Sequence, residues 1–308
     1  MHSLRASPVF SLVVLVTLGV FGLVGVVLLQ PDLIGGLLGQ NMVAHISRHF
    51  RDPHHRIHDL TFSMLIGTAV VGMLAQLRTP SENVAGQLMA LIPWVALVLT
   101  FALTNTWVFA PLPILGALTL IATILHPTGR DLFRSFSVSR VDRVMLALVV
   151  IAAVPLLAFA STNLGLQRTV TNDHAALGHY GFMAAFSVTV IGVGLLASLR
   201  PDGWWLSAWI AGFLPALLGL ASVVFSDVDS SLGLAWGLAA IAWGVVFVAA
   251  AEFIRRGGRT HPGRTGQPPD RGSTTGTPRW VYIFGIIALA LALLFVILHF
   301  TGGGLGGH

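Results

Sequence analysis

Apolar residues in this chain come in long unbroken runs. They do not alternate as in a half-buried strand, nor form the one-sided stripe of a surface helix. A helix needs about 20 such residues to cross a bilayer. Nine runs are candidates: residues 9–29, 59–77, 85–104, 107–126, 143–162, 178–199, 205–225, 231–253 and 280–300. Breakers fall between them: Pro31 and Gly35-Gly36 after the first, Arg78-Thr79-Pro80 after the second, Thr104-Asn105 after the third. Pro93, Pro111 and Pro113 fall inside runs, which membrane helices tolerate where neighbours re-satisfy the freed carbonyls. The partly apolar segment 31–52 fits a short helix lying in the interface. The first run is too long for the apolar core of a signal peptide and lacks a small-x-small cleavage site before Gln30-Pro31. It therefore reads as the first membrane helix. The pattern predicts an all-α, polytopic membrane helix bundle.

A shift of 122 residues lays part of the chain on itself. Val71, Gly72, Leu74, Ala75, Leu77 and Arg78 fall on Val193, Gly194, Leu196, Ala197, Leu199 and Arg200. Pro93 falls on Pro215, Thr104 on Ser226, and His58 falls one residue from His179. The expected organisation is two four-helix repeats plus one C-terminal transmembrane helix. The first repeat is 1–126, an inner loop is 127–142 and the second repeat is 143–254. An even helix count per repeat makes the two parallel, related by an axis along the membrane normal. Residues 255–279 are rich in Gly, Pro and Arg and nearly devoid of apolar residues, which predicts a disordered linker. Residues 280–308 then supply the last helix and a Gly-rich tail.

Composition agrees. The 308 residues are 55% apolar and 9% charged, against roughly 25% charged in soluble domains. The absence of cysteine excludes disulfides, thiolate zinc sites, iron–sulfur clusters and thioether-bound haem. All 17 basic residues are arginine. They lie in loops, with no basic groove interleaved with aromatics, so nucleic acid is not an expected partner. With the N-terminus inside, thirteen arginines face inward, and only Arg48, Arg51, Arg56 and Arg168 face outward. Cytoplasmic loops are enriched in Lys and Arg. The expectation is therefore a plasma-membrane protein with a cytoplasmic N-terminus and an extracytoplasmic C-terminus. Its partners would be the lipid bilayer and either further copies of itself or other membrane proteins.

That orientation sorts the histidines. His45, His49, His54, His55, His58, His174, His179, His299 and His308 fall at the outer face, and His2, His126 and His261 at the inner face. Five of the outer ones crowd into the stretch from His45 to His58, where Asp52 is placed to cap the second span and Pro53 suits its first turn. His54 and His58 lie one turn apart, and His55 meets His58 at i,i+3 and Asp59 at i,i+4. Neutral imidazole is a common metal ligand, and a helix N-terminus disfavours its protonated form. The candidate metal ligands are His45, His49, His54, His55, His58, Asp59, His174 and His179. His58 and His179, near-mates across the repeat, are also candidate axial ligands of a b-type haem. The spacing of five puts His174 and His179 roughly 140° apart on one helix. They share an ion only if the helix starts after His174. The competing reading makes these histidines polar anchors at the interface.

No P-loop, HExxH, GxSxG or strand-borne GxGxxG occurs. No charge is expected at a helix centre, which argues against a proton pump or voltage sensor. Arg78 and Arg200 read as topology anchors, and Glu252 as a side chain snorkelling to the interface. The C-terminal TPRWVYIFGIIALALALLFVILHFTGGGLGGH and the stretch NDHAALGHYGFMAAFSVTVIGVGLLASLRPDGW resemble a group of uncharacterised multi-spanning membrane proteins of high-GC bacteria. The resemblance implies this topology and a single-helix tail, and implies no activity. The leading functional expectation is an outward-facing histidine site binding copper, zinc or haem b, for redox chemistry or metal handling. The alternatives are a non-catalytic membrane scaffold and a transporter of a neutral solute.

Overall fold

The computed structural model describes residues 7–29, 55–106, 111–129, 136, 140–228 and 230–257. Among these, all regular structure is helical. In order come α1 (Pro8–Leu29), α2 (Arg56–Ala75), a 3-10 turn at Pro80–Glu82, α3 (Val84–Thr104) and α4 (Pro111–Ile124). Then follow α5 (Arg143–Thr169), the short α6 (Asp173–Ala176), α7 (His179–Leu199), α8 (Trp204–Val224) and α9 (Gly233–Gly257). All except α4 and α6 are long and apolar enough to cross a membrane, seven in total. The expected ninth span, 280–300, lies outside the described residues, as does most of the linker.

Two helices depart from their expected length for different reasons. α4 has 14 residues, about 21 Å at 1.5 Å per residue, where a run over 107–126 was expected. Residues 107–110 lie outside the described residues. α5 continues to Thr169, well past the expected end at 162. Its polar extension holds together because Asn163 and Gln167 turn inward and are buried. The Asn163 side chain donates to the Phe159 carbonyl at 2.9 Å.

α2, α3, α7 and α8 form the buried middle of the bundle, while α1, α5 and α9 present most of their surface outward. α7 packs on α2, α3, α5 and α8, and α1 packs on α4 and α2. α9 docks on α5, where the Trp243 indole donates to the Leu148 carbonyl at 2.9 Å. Small residues let backbones approach closely, as membrane helix packing favours. A Cβ on Gly72 would overlap the Gly86 carbonyl oxygen across the α2–α3 contact. Gly212 and Gly244 do the same for α8 and α9.

At the end of the bundle where α2 stops and α3 begins, turns are tied to one another. The Ala85 amide donates to the Asp202 carbonyl, and the Asp142 amide to the Ser198 carbonyl, both at 2.9 Å. Asp142 caps α5 by accepting from the Met145 amide at 2.9 Å. Arg200 takes a left-handed backbone (φ 52) and stacks 4.9 Å over Trp204. Glu252 is pinned rather than snorkelling. One carboxylate oxygen accepts from the indoles of Trp205 (2.6 Å) and Trp209 (3.0 Å), and the other from Arg255 at 2.9 Å.

Candidate metal centre

The other end of the bundle gathers the starts of α2 and α7 and the ends of α3, α5 and α8. His55 stands at the N-cap of α2 in helical conformation, so His58 follows three residues later on the same side. His174 rides on α6, whose first turn is capped by the Asn172 side chain accepting from the Ala175 amide at 2.9 Å. The chain then breaks at Gly178, in the left-handed region at φ 75, and α7 starts at His179. That break is the condition for His174 and His179 to share a ligand. A continuous helix would have carried them about 140° apart.

Gln167, on the extension of α5, bridges the break. Its Nε2 donates to the Ala175 carbonyl at 2.7 Å, and its Oε1 accepts from the Gly181 amide at 3.0 Å. One buried side chain thus holds α6 and α7 in fixed relation. Asn172 also donates to the Tyr180 hydroxyl at 3.2 Å. Arg168 donates to the Leu103 carbonyl at the end of α3, which ties α5 to α3.

Four imidazoles converge here. The Nδ1 atoms of His174 and His179 are 3.2 Å apart. The His55 ring lies 4.6 Å from that of His174 and 4.9 Å from that of His179, centroid to centroid. The His58 ring lies 4.8 Å from that of His174 and 5.0 Å from that of His179, nearly parallel to the latter. Among the described residues, His55, His174 and His179 can each offer one ring nitrogen such that the three atoms lie within 4.8 Å of one another. His55, His58 and His179 are buried and His174 is half-buried. A nitrogen bonds zinc at about 2.0–2.1 Å, so two ligands of a tetrahedral ion sit about 3.3 Å apart. The His174–His179 separation is already of that size. The start of α2 carries Asp59 and the start of α6 carries Asp173, two acids that offset the positive ends of helices in the region.

His45, His49 and His54, with Asp52 and Pro53, lie outside the described residues. Asp59 sits in the first turn of α2 but is not one of the three grouped ligands. Gln167 escaped the sequence reading. Its signal was a polar side chain in register with Asn163, at i,i+4, where the apolar run fades. Gly178 was visible only as the residue beginning a span.

A buried histidine also sits at the opposite end. His126 is 2% exposed, and its Phe10 neighbour meets it edge-on at 5.4 Å. Its Nδ1 lies 2.7 Å from the Thr128 hydroxyl and takes the Thr128 amide at 3.4 Å, so it accepts. Its Nε2 therefore carries the proton and donates to the Gln76 Oε1 at 3.2 Å. Gln76 in turn donates to the Gly72 and Asn83 carbonyls. Burial lowers the His126 pKa from 6.5 to about 4.

Comparison with protein-family models, with curated proteins and with solved structures gives no match for this chain.

Proposed function

We propose that this integral membrane protein holds one transition-metal ion of the zinc or copper class at the end of the bundle formed by the starts of α2 and α7. His55, His174 and His179 are its ligands. The observation that carries this reading is the convergence of three imidazoles from two segments more than a hundred residues apart, each able to present a nitrogen within 4.8 Å of the others. Imidazole-only donor sets suit zinc and copper, whereas magnesium and calcium prefer oxygen. Such a site serves metal handling or anchors structure.

Haem between His58 and His179 is the weaker candidate. A planar macrocycle has to pass between its two axial ligands, and the rings of His55 and His174 crowd that space.

The reading is tested by elemental analysis of protein purified without chelator. About one equivalent of zinc or copper is expected in the wild type and almost none in His179→Ala. A metal-free, correctly folded wild type that takes up neither ion overturns it, and a Soret band replaces it with haem.

We also read the bundle as two parallel four-helix repeats. Support comes from α2–α3 and α7–α8 both lying in the buried middle, each pair with an interior proline, Pro93 and Pro215. The histidine end faces outward at the plasma membrane in this reading, as the arginine distribution supports. Labelling of Thr171→Cys in this otherwise cysteine-free chain by an impermeant reagent on intact cells is the expected result, and protection until lysis reverses the orientation.

A further inference from the structure

The three-ligand set leaves open whether a fourth position on the ion is free for a substrate or filled by protein. Those two cases separate a catalytic metal from a structural one. Ring geometry discriminates between them. An imidazole centroid lies about 1.1–1.2 Å beyond its ligating nitrogen, so four imidazoles around one tetrahedral ion place their centroids about 5.2 Å apart. Five of the six ring pairs in this cluster, all but His55–His58, stand at 4.6 Å (His55–His174), 4.8 Å (His58–His174), 4.9 Å (His55–His179), 5.0 Å (His58–His179) and 5.4 Å (His174–His179). His58 thus stands at the same ring separation from His174 and His179 as the members of the triad do from one another.

His58 sits three residues from His55 on the first turn of α2, a spacing that lets two side chains reach a common point. It is 2% exposed. The imidazole χ2 torsion is broad and soft, so a ring rotation that turns a nitrogen toward the ion costs little.

Resting on the proposed metal site, we infer that His58 is the fourth ligand and closes the shell. The centre is then a four-imidazole clamp for a zinc-class ion, two ligands from the start of α2 and two from the α6–α7 turn. It has no coordination position for a substrate. The ion acts as a cross-link between the first and second parts of the chain, not as a Lewis acid.

Cobalt(II) alone, loaded into the purified full-length protein, is the probe, read by its visible d–d spectrum, with added imidazole as the competing ligand. A closed wild-type site gives an intense tetrahedral spectrum that does not change from pH 6.5 to 9 and does not respond to imidazole. His58→Ala retains cobalt with affinity weakened on the order of 100-fold. It gains a pH-dependent spectrum from a bound water ionising near neutrality, and imidazole restores the wild-type spectrum. His58→Phe keeps the ring packing and loses one nitrogen donor, so its spectrum shifts even if the alanine variant folds poorly. A wild-type spectrum that responds to imidazole or to pH overturns the closed shell while leaving the three-histidine site standing, as does a His58→Phe spectrum identical to the wild type. Failure of the wild type to bind cobalt or zinc at all removes the underlying site and this inference with it.

Discussion

Buried histidine occurs at both ends of this bundle, and the two ends use it differently. At the end where α2 stops, His126 has one partner for each nitrogen, Thr128 and Gln76, and those neighbours fix which nitrogen carries the proton. Such a ring is complete without a ligand, and its job is to join α2 to the end of α4. At the other end the nearest rings around His174 and His179 are other imidazoles and Tyr180. Four copies of one basic group crowd together, and the proposed metal site rests on that grouping. The same residue type thus stands between a hydroxyl and an amide at one end and among its own kind at the other.

The contrast breaks most sharply on removal of a ring. His179→Ala should lose the metal almost completely, with affinity reduced more than about 100-fold, whereas His126→Ala should leave metal content unchanged. Metal titration of both variants checks this, and equal losses would end the distinction.

Acid gives the next largest effect. His126 is neutral in the fold down to about pH 4 but protonates near 6.5 when unfolded. The unfolded chain therefore binds the extra proton first. Its contribution to stability is full above pH 6.5, declines between 6.5 and 4, and totals up to about 3 kcal/mol. The pH dependence of the unfolding midpoint in detergent should flatten over that window in His126→Gln. The difference between the two proteins is the quantity to read.

Gln167 sharpens the comparison through the backbone of the α6–α7 turn. Gln167→Ala should weaken metal binding about 10-fold by loosening the α6–α7 turn, since outer-shell partners of ligands are worth about 10–100-fold. Gln167→Glu, which still accepts from the Gly181 amide but cannot donate to the Ala175 carbonyl, should fall between wild type and alanine. Smallest is the exposed Arg140–Asp202 pair at the opposite end, 2.9 Å apart with both side chains half exposed. Arg140→Ala should cost less than about 1 kcal/mol and leave the metal untouched.

Much of this was legible from runs of apolar residues, because a bilayer admits so few solutions. α3, α7 and α8 start and end within a residue of their expected limits. What the pattern missed was a helix prolonged by polar groups that bury themselves. α5 runs on past its expected end through Asn163 and Gln167, both buried and hydrogen-bonded. Hydropathy scores such residues as ends, since it cannot know that a partner awaits them. The histidines were visible as candidates, and the grouping of His55 with His58 followed from helical spacing. The convergence of His174 with His179 turned on one left-handed glycine, whose conformation no periodicity announces.

That glycine has a mechanical consequence. With Gly178 folding α6 back and Gln167 locking it, His174 and His179 travel as one rigid fitting on the head of α7, just as His55 and His58 travel on the head of α2. The shape of the cluster then depends on how α2 and α7 are placed against each other. In the proposed metal site, an ion held by both heads would work as a ruler for that placement: whatever stretches or tilts the two helices against each other would loosen the ion, and by reciprocity the ion would resist the stretch.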